Sequence, residues 1–184
     1  GVFASTKNQS NNTISIVAKG TGTLYYSWEA EGLSESGIVK EEDKYIVARR
    51  QYFDRNGAAI NSSSFKQNDL VIVRLAVQAI DNSRIENVVL TDMLPAGFEI
   101  ENPRLNDLTE ASWIKNNSTP EYFDIRDDRI NMFVTATNST RYYYYMVRAV
   151  SVGTFKVGPV SADAMYNGEY HSYNGAGTIT ISEK

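Results

Sequence analysis

The feature that most constrains the fold of this chain is the stretch 141–166, in which aromatic and aliphatic side chains recur in three short runs. Successive side chains of an extended strand point to opposite faces. In the first of these runs, 142–149, both faces are therefore at least half apolar. Gly153 then predicts a turn and Pro159 a break, so two further strands are expected at 154–157 and 160–165. Rows of aromatic residues of this kind are typical of the interior of a β-sandwich.

The rest of the chain repeats this pattern of short alternating runs. The clearest run, 70–80, places aliphatic side chains on one face and Arg74 and Gln78 on the other. We expect the aliphatic face to line a core and the opposite face to be partly in contact with water. The run 85–91 is predicted to pair with this strand across a turn at 81–84. The aliphatic face consists of Val71, Val73, Leu75, Val77 and Ala79.

About ten strands at short spacing, with at most one short helix over 106–115, indicate an all-β chain folded as an antiparallel β-sandwich. Turn residues separate the runs, and a loop rich in glycine and tyrosine is predicted at 167–177. In the turn 94–97, Pro95 takes the second position, which suits a type I turn. The other strands are predicted at 13–19, 23–30, 45–53, 98–101, 121–125, 129–136 and 178–182, with turns at 54–57 and 126–128.

A change in composition after the first two runs predicts a domain boundary. The segment 31–44 carries two glycines and the acidic cluster 41–43, which is typical of a solvated connection. We therefore assign residues 1–36 to a leader and a β-hairpin that belong to a preceding domain or linker. Residues 37–184 are assigned to the sandwich domain.

Composition excludes several classes of function. A net charge of −4 at pH 7 disfavours a large nucleic-acid footprint, which would show as clustered Lys and Arg. No apolar run approaches the roughly 20 residues of a spanning helix, so direct membrane insertion is not expected. The chain has no cysteine, which excludes disulfides, thiolate metal sites and cysteine nucleophiles. We predict no cofactor and no bound metal.

The single histidine, His171, is the only candidate for the base of a serine-type catalytic triad. No GxSxG nucleophile turn accompanies it, and no serine or aspartate lies in a recognisable catalytic sequence. Its sequence neighbours Tyr170, Ser172 and Tyr173 predict a loop position. We therefore predict that the chain is not an enzyme and that His171 is a surface residue.

Two groups of acidic residues suggest a metal site or a catalytic pair. Asp124, Asp127 and Asp128 could bind calcium, which takes about six to eight oxygen ligands, but their spacing is not that of a DxDxDG loop. Neighbouring arginines oppose cation binding, so turn formation and arginine pairing are the simpler interpretation. Glu99 and Glu101 share a strand face, as a glycosidase pair would, yet such acids on an edge strand are usually solvent-facing.

The chain has 12 tyrosines, which raises the possibility of a stacking platform for carbohydrate. For the run 142–145, core and rim packing is the better explanation, because tyrosine is a strong strand former whose hydroxyl can reach water. The loop residues Tyr166, Tyr170 and Tyr173 are open to either interpretation. A free-standing cell-envelope adhesion or carbohydrate-binding β-sandwich is therefore the alternative function.

Several sequence strings occur together in an order that is typical of one protein family. The most specific are LPAGFEIENP, at 94–103, and VRAVSVGTFKVGPV, at 147–160. The others are GTLYYSW (22–28), RQYFDRNG (50–57), NDLVIVRL (68–75), RDDR (126–129) and AMY (164–166). From about Gly22 to Ile181 the chain thus resembles the C-terminal macroglobulin-like domain of bacterial alpha-2-macroglobulins, which implies the same sandwich fold.

This resemblance also implies a function. Such proteins are large protease traps of the periplasm or cell envelope, often lipid-anchored, in which a thioester attaches to the protease and requires a CxEQ motif. Since this chain has no cysteine, its implied role is to support a thioester domain elsewhere in the parent chain. By resemblance, Met165 and Tyr166 pack over the thioester and exclude water and premature nucleophiles. The other interpretation is that Met165 ends a core strand and Tyr166 begins a loop.

Overall fold

The computed structural model describes residues 19–23, 25–27, 39–81, 83–101 and 111–184. The chain divides into two compact units, Gly1–Glu35 and Ser36–Lys184. The described residues of the first unit are exposed and lie outside any strand, and the rest of the predicted hairpin lies outside the described residues. Within the described part of the chain, no helix has the length and apolar character needed to cross a membrane.

The second unit contains the fourteen described strands, which form three sheets. The longest strand, β5, has 10 residues. The strands are β1 (Glu42–Lys44), β2 (Ile46–Phe53), β3 (Ala59–Ile60), β4 (Ser64–Lys66), β5 (Leu70–Ala79), β6 (Ile85–Met93), β7 (Phe98–Ile100), β8 (Tyr122–Ile125), β9 (Arg129–Ala136), β10 (Arg141–Ala149), β11 (Gly153–Val157), β12 (Val160–Ala164), β13 (His171–Asn174) and β14 (Gly177–Ser182).

The two larger sheets pack face to face as a β-sandwich, which confirms the predicted fold class. One sheet has six strands in the order β1-β13-β12-β6-β9-β8, and the other has five in the order β3-β2-β5-β10-β7. Neighbouring strands within both sheets are antiparallel. A small third sheet, β11-β14-β4, includes a parallel pairing between β4 and β14.

The core is formed by the inward faces of both large sheets. On β5, the five aliphatic residues of the predicted core face are at most 1% exposed, which confirms that prediction. β10 places Tyr143 and Tyr145 in the core, while Tyr142 and Tyr144 lie half-buried on the outer face. Trp113 packs on that outer face as part of a second, smaller apolar cluster. The tyrosine run therefore serves packing on both faces of its strand, as predicted.

The predicted pairing of 70–80 with 85–91 is wrong. β5 pairs with β2 and β10, whereas β6 pairs with β9 and β12 in the other sheet. Each of the two strands has one buried apolar face, and these faces cover each other only when the strands lie in opposite sheets. The connection after β5 therefore crosses between sheets, and within it Asp81 adopts the left-handed region with φ 65°.

The strand predicted at 45–53 is confirmed from Ile46 onward, but the chain changes sheets just before it. Tyr45 has φ 63°, an unusual value for a bulky residue. On its two sides, β1 belongs to the six-stranded sheet and β2 to the five-stranded sheet. One continuous segment thereby joins the two layers of the sandwich.

Two turn predictions differ from the structure in detail. The loop predicted at 167–177 contains a strand, β13, which pairs with β1 and β12. The N–H of Phe98 donates to the carbonyl of Pro95 at 2.9 Å, so Pro95 takes the first position of its turn rather than the second. Local turn signals locate these segments, but tertiary pairing decides how the hydrogen bonds are arranged.

The turns predicted at 54–57 and 126–128 are confirmed as hairpin-type connections. Gly57 has φ 88°, and a Cβ on it would lie 2.7 Å from the Trp113 ring, so this position requires glycine. The helix predicted over 106–115 falls partly outside the described residues. Ala111 has 3₁₀-helical geometry, and the turn that follows it is closed by the Ile114 N–H, which donates to the Ala111 carbonyl at 2.9 Å.

Candidate functional site

The turn between β12 and β13 carries the two residues that the sequence singles out, Met165 and Tyr166. Backbone hydrogen bonds close this turn. The Ala164 N–H donates to the Tyr170 carbonyl at 3.0 Å, and the Asn167 N–H donates back to the Ala164 carbonyl at 3.2 Å. The Tyr170 N–H donates to the Asn167 carbonyl at 3.0 Å. Met165 and Tyr166 therefore lie at the start of a turn that is stabilised by its own backbone hydrogen bonds.

A β-bulge in the neighbouring strand fixes where the turn begins. The register of β6 with β9 shifts between Ile85 and Val88, and within this interval Asn87 adopts φ 56°. The Asn87 carbonyl accepts the Met165 N–H at 3.0 Å. Asparagine tolerates the left-handed conformation better than most residues, so the sequence of β6 helps to place Met165.

Both side chains at the start of the turn face solvent. Met165 is 52% exposed and Tyr166 is 83% exposed, so the interpretation of Met165 as a core residue is wrong. A second exposed ring, Tyr45, contacts Tyr170 edge to face with 4.9 Å between ring centroids. Both residues of the turn are therefore accessible to solvent in this chain.

The far side of the turn is anchored to the adjoining strands. Lys44 Nζ of β1 lies 3.7 Å from a carboxylate oxygen of Glu169. His171 Nδ1 of β13 lies 3.0 Å from the Gly168 carbonyl oxygen. These contacts hold the second half of the turn against the sheet and leave its first half free to meet another surface.

The structure does not assemble a catalytic triad around His171 in the part of the chain that it describes. His171 lies in β13 rather than in the predicted loop, and its Nε2 is 4.0 Å from a Glu42 carboxylate oxygen. The adjacent Ser172 is fully buried: its Oγ donates to Asp43 Oδ1 at 2.7 Å and accepts the Ala48 N–H at 2.9 Å. A serine bound in this way links the two sheets and is not placed to act as a nucleophile.

Arginine pairing was predicted for three aspartates at the β8–β9 turn, and two of them, Asp124 and Asp128, are paired. Arg126 Nε donates to Asp124 Oδ2 at 3.0 Å, and Arg129 Nη2 donates to Asp128 Oδ2 at 2.7 Å. The Arg129 guanidinium lowers the pKa of the Asp128 carboxyl. Among the described residues, no group of three or more His, Asp or Glu side chains is placed to hold a metal ion.

The two glutamates next to β7 do not face a shared space for a substrate. Glu99 is exposed at the sheet edge. Glu101 accepts a hydrogen bond from Arg148 Nε at 2.5 Å. One carboxylate therefore faces solvent while the other is bound to a neighbouring strand, which does not fit a glycosidase pair.

The loop tyrosines do not form a shared stacking platform. Tyr166 is exposed, whereas Tyr170 and Tyr173 are half-buried. The Tyr173 hydroxyl donates to Asp163 Oδ1 at 2.6 Å, and burial together with this carboxylate raises the pKa of Tyr173 to about 12. Only one of these three rings is therefore exposed and available to stack on a sugar.

Sequence reasoning missed a buried ionic cluster between the two large sheets. Asp92 of β6 is fully buried and pairs with Arg50 of β2, while the Tyr145 hydroxyl donates to Asp92 Oδ2 at 2.6 Å. Arg50 also donates to the carbonyls of Gly158, at 3.0 Å, and Gly175, at 2.5 Å. Burial raises the pKa of Asp92, against the opposing effects of Arg50 and Tyr145. The cluster joins both sheets to two loops.

Comparison with known proteins points to one family. Residues 46–169 match the family described as the bacterial alpha-2-macroglobulin MG10 domain. An alpha-2-macroglobulin of Xylella fastidiosa (strain 9a5c) is 30% identical over 164 residues, which cover 83% of this chain and 10% of that protein. An alpha-2-macroglobulin of Rickettsia conorii is 29% identical over 173 residues, which cover 93% of this chain and 9% of that protein.

Solved structures share the fold. The crystal structure of Salmonella alpha-2-macroglobulin reacted with methylamine aligns with a TM-score of 0.71 and 25% identity, covering 80% of this chain and 10% of that chain. Native alpha-2-macroglobulin from Escherichia coli, in a structure that spans domain MG7 to the C-terminus, aligns with a TM-score of 0.71 and 23% identity, covering 79% of this chain and 24% of that chain. This chain spans about a tenth of the length of the relatives it matches.

Proposed function

Because this chain belongs to the bacterial alpha-2-macroglobulin MG10 domain family, we propose that it is a non-catalytic structural domain in the C-terminal region of a longer, protease-trapping alpha-2-macroglobulin. The designation MG10 supports a position late in a series of MG domains. In this proposal residues 37–184 form the domain and residues 1–36 belong to the preceding domain or linker. The parent protein acts in the periplasm or cell envelope, and its target proteases are its partners.

The exposed pair Met165 and Tyr166 carries the more specific part of the proposal, which is that this turn packs over a thioester in another domain of the parent protein. A thioether and a phenol ring held over an activated acyl group exclude water and amines. The thioester cysteine must come from elsewhere, because this chain has none. The reaction of the related Salmonella protein with methylamine supports the idea, since methylamine is a nucleophile that attacks such acyl groups.

A free-standing adhesion or carbohydrate-binding module is the less favoured function. Tyr166 is the one exposed ring among the three loop tyrosines, because Tyr170 and Tyr173 are half-buried. The similarity to alpha-2-macroglobulins extends over 83% and 93% of the chain in two relatives. Neither observation favours a separate sugar-binding function.

Replacing Tyr166 with glycine in the parent protein tests the covering role. Methylamine nitrogen attacks the thioester carbonyl, forms an amide and releases the cysteine thiol. With the ring removed, we expect thiol release at least about threefold faster, because the amine reaches the carbonyl more easily. In the isolated chain the same change should alter the free energy of unfolding by less than about 1 kcal/mol, since the side chain is exposed. A thiol reagent measures the first quantity and urea unfolding the second.

The matched control is Tyr25→Gly, because Tyr25 is 89% exposed and lies outside the turn. This variant should release thiol at the wild-type rate. If Tyr166→Gly leaves both thiol release and stability unchanged, the turn does not cover the thioester. If Tyr166→Gly unfolds the isolated chain, Tyr166 is instead a structural residue.

The isolated chain is expected to capture no protease covalently. Capture requires an acyl group that a protease amine can attack, and a chain without cysteine cannot form the thioester that supplies it. Incubation with a panel of serine, cysteine and metalloproteases, followed by denaturing electrophoresis, should show no adduct of higher mass. A stable adduct would mean that acyl chemistry resides in this chain and would refute its non-catalytic role.

A further inference from the structure

The six-stranded sheet ends at β8, and among the described residues this strand pairs only with β9. Phe123 and Ile125 stand opposite Met132 and Ile130 of β9, so their side chains point to the core face of the sheet. Met132 and Ile130 are fully buried, whereas Phe123 is 39% exposed and Ile125 is 40% exposed. Among the described residues the sandwich is therefore open at this edge, because the opposite sheet does not fully cover the core-facing side chains of β8.

The opening continues into a groove between β8 and β7, which is an edge strand of the five-stranded sheet. The groove encloses a cavity of about 660 Å³. Ile100 of β7 points to the core face, since it stands opposite the buried Val147 of β10. Apolar side chains therefore line both sides of what we call the β7–β8 groove. They are Leu94, Pro95, Phe98, Ile100 and Ile125.

The backbone of β8 adds hydrogen-bonding capacity to this groove. The Arg126 N–H donates to the Arg129 carbonyl at 2.9 Å. Because backbone groups alternate in direction along an antiparallel pair, the N–H and C=O groups of Phe123 and Ile125 point away from β9. Such a free edge is the geometry to which an extended segment adds as a further strand.

The rim of the groove carries two acidic side chains that form no ion pair within the described part of the chain. The arginines of the β8–β9 turn are each paired with a neighbouring aspartate, so these pairs add no net charge. Glu99 and Asp127 also line the groove, and neither forms an ion pair with another described residue. A partner with Lys or Arg at the corresponding positions is electrostatically complementary.

We propose that the β7–β8 groove is the interaction surface for an extended segment of another domain of the longer protein, a segment that is apolar at alternate positions and flanked by Lys or Arg. The segment adds to β8 as a strand, with its alternate side chains over Ile100 and Ile125. Its basic flanks lie beside Glu99 and Asp127. The inference rests on the proposed function in one respect, that this chain is one domain of a longer protein.

Two synthetic peptides test the proposal on the 184-residue chain. Both have a core of alternating valine and threonine, and they carry either lysine or glutamate at the two ends. At low salt we expect the lysine peptide to bind at least about tenfold more tightly than the glutamate peptide by titration calorimetry. In NMR-detected hydrogen exchange, the amides of Phe123 and Ile125 should exchange more slowly once the lysine peptide is bound.

Two variants separate the apolar and the charged contributions. Ile125→Lys places a charge in the groove and should weaken lysine-peptide binding by at least about tenfold, with little change in unfolding because Ile125 is partly exposed. The double variant Glu99→Gln, Asp127→Asn should remove the difference between the two peptides and keeps the test valid if Ile125→Lys fails to fold. Tyr166→Gly should bind the peptide normally, so a failure here is distinct from a failure of the thioester-covering role.

Three results would overturn the proposal. One is equal affinity for the two peptides, and another is binding without slower exchange at Phe123 and Ile125. The third is the absence of lysine-peptide binding at about 1 mM, where even a weak specific site is half occupied. Sedimentation of the chain alone adds a further check: a dimer that Ile125→Lys dissociates would make a second copy the occupant and would also overturn the proposal.

Discussion

Replacing Val73 with aspartate is expected to lower the free energy of unfolding by more than about 4 kcal/mol, which is a large fraction of the stability of a typical domain. Val73 lies at the middle of β5 and is fully buried. Its cross-strand neighbours are Tyr52 and Tyr145, so a carboxylate there gains no positively charged partner directly opposite it. Leu75 is a less decisive position, because it stands opposite Arg50, which would partly compensate an aspartate.

The control for this substitution is Gln78→Asp on the opposite face of the same strand. The Gln78 amide donates to the Asn138 carbonyl at 2.8 Å and accepts the Thr140 hydroxyl at 2.7 Å. Losing these exposed hydrogen bonds should cost about 1–2 kcal/mol. Urea unfolding followed by circular dichroism measures both variants. Equal losses for the two faces would show that the register assigned to β5 is incorrect.

Replacing Arg50 with methionine is expected to lower the free energy of unfolding by about 3–5 kcal/mol, because it leaves Asp92 buried without its charged partner. Asp92 is fully buried, and once Arg50 is replaced its remaining hydrogen-bond partner in the cluster is the neutral Tyr145 hydroxyl. The double variant Arg50→Met, Asp92→Leu should recover most of this loss, since it removes both charges and keeps the volume apolar. A double variant no more stable than Arg50→Met would contradict this account.

The stability deficit of Arg50→Met should also depend on pH. Burial raises the pKa of Asp92 above its usual value of 3.8 in the folded protein, and Arg50 opposes that rise. Without Arg50 the folded-state pKa rises further, so the folded form holds its proton over a pH range in which the unfolded form has lost it. Stability then falls as pH increases above about 4. Unfolding measured near pH 4 and pH 7 should show the larger deficit at pH 7.

The alternation of side chains was sufficient to predict the buried faces of β5 and β10. Val73 and Tyr143 are core residues because a strand of period two has no other way to bury its apolar side chains. The same alternation does not specify which strands become neighbours. β5 and β6 are adjacent in sequence yet lie in opposite sheets, because their apolar faces cover each other across the core.

The sequence contains a signal for the buried pair of Arg50 and Asp92, but an analysis of apolar periodicity alone does not detect it. Arg50 falls at the same alternating positions as Ile46 and Ala48, and Asp92 at the same positions as Val88 and Leu90. One basic and one acidic residue on inward faces of separate strands predict a buried pair. Only the topology shows that the two strands lie in facing sheets.

The candidate site was located by resemblance rather than by chemistry. Nothing in the residue types of Met165 and Tyr166 distinguishes an exposed turn from the end of a core strand. Their exposure depends on the bulge at Asn87 and on the pairing of β13, neither of which is a local property of the turn. The open edge at β8 was missed for a similar reason, since it results from the different widths of two sheets rather than from any sequence motif.

The parallel contact between β4 and β14 has a consequence for how the chain reaches its native state. Ser182 and Phe65, which join these strands, are 117 residues apart, and Ser172 and Asp43, at the β13–β1 contact, are 129 residues apart. Contacts of such long range slow folding, typically to milliseconds or seconds for β-sandwiches. During synthesis, β1 and β4 must wait as unpaired segments until β13 and β14 have left the ribosome, so this domain is most prone to aggregation just before β14 emerges.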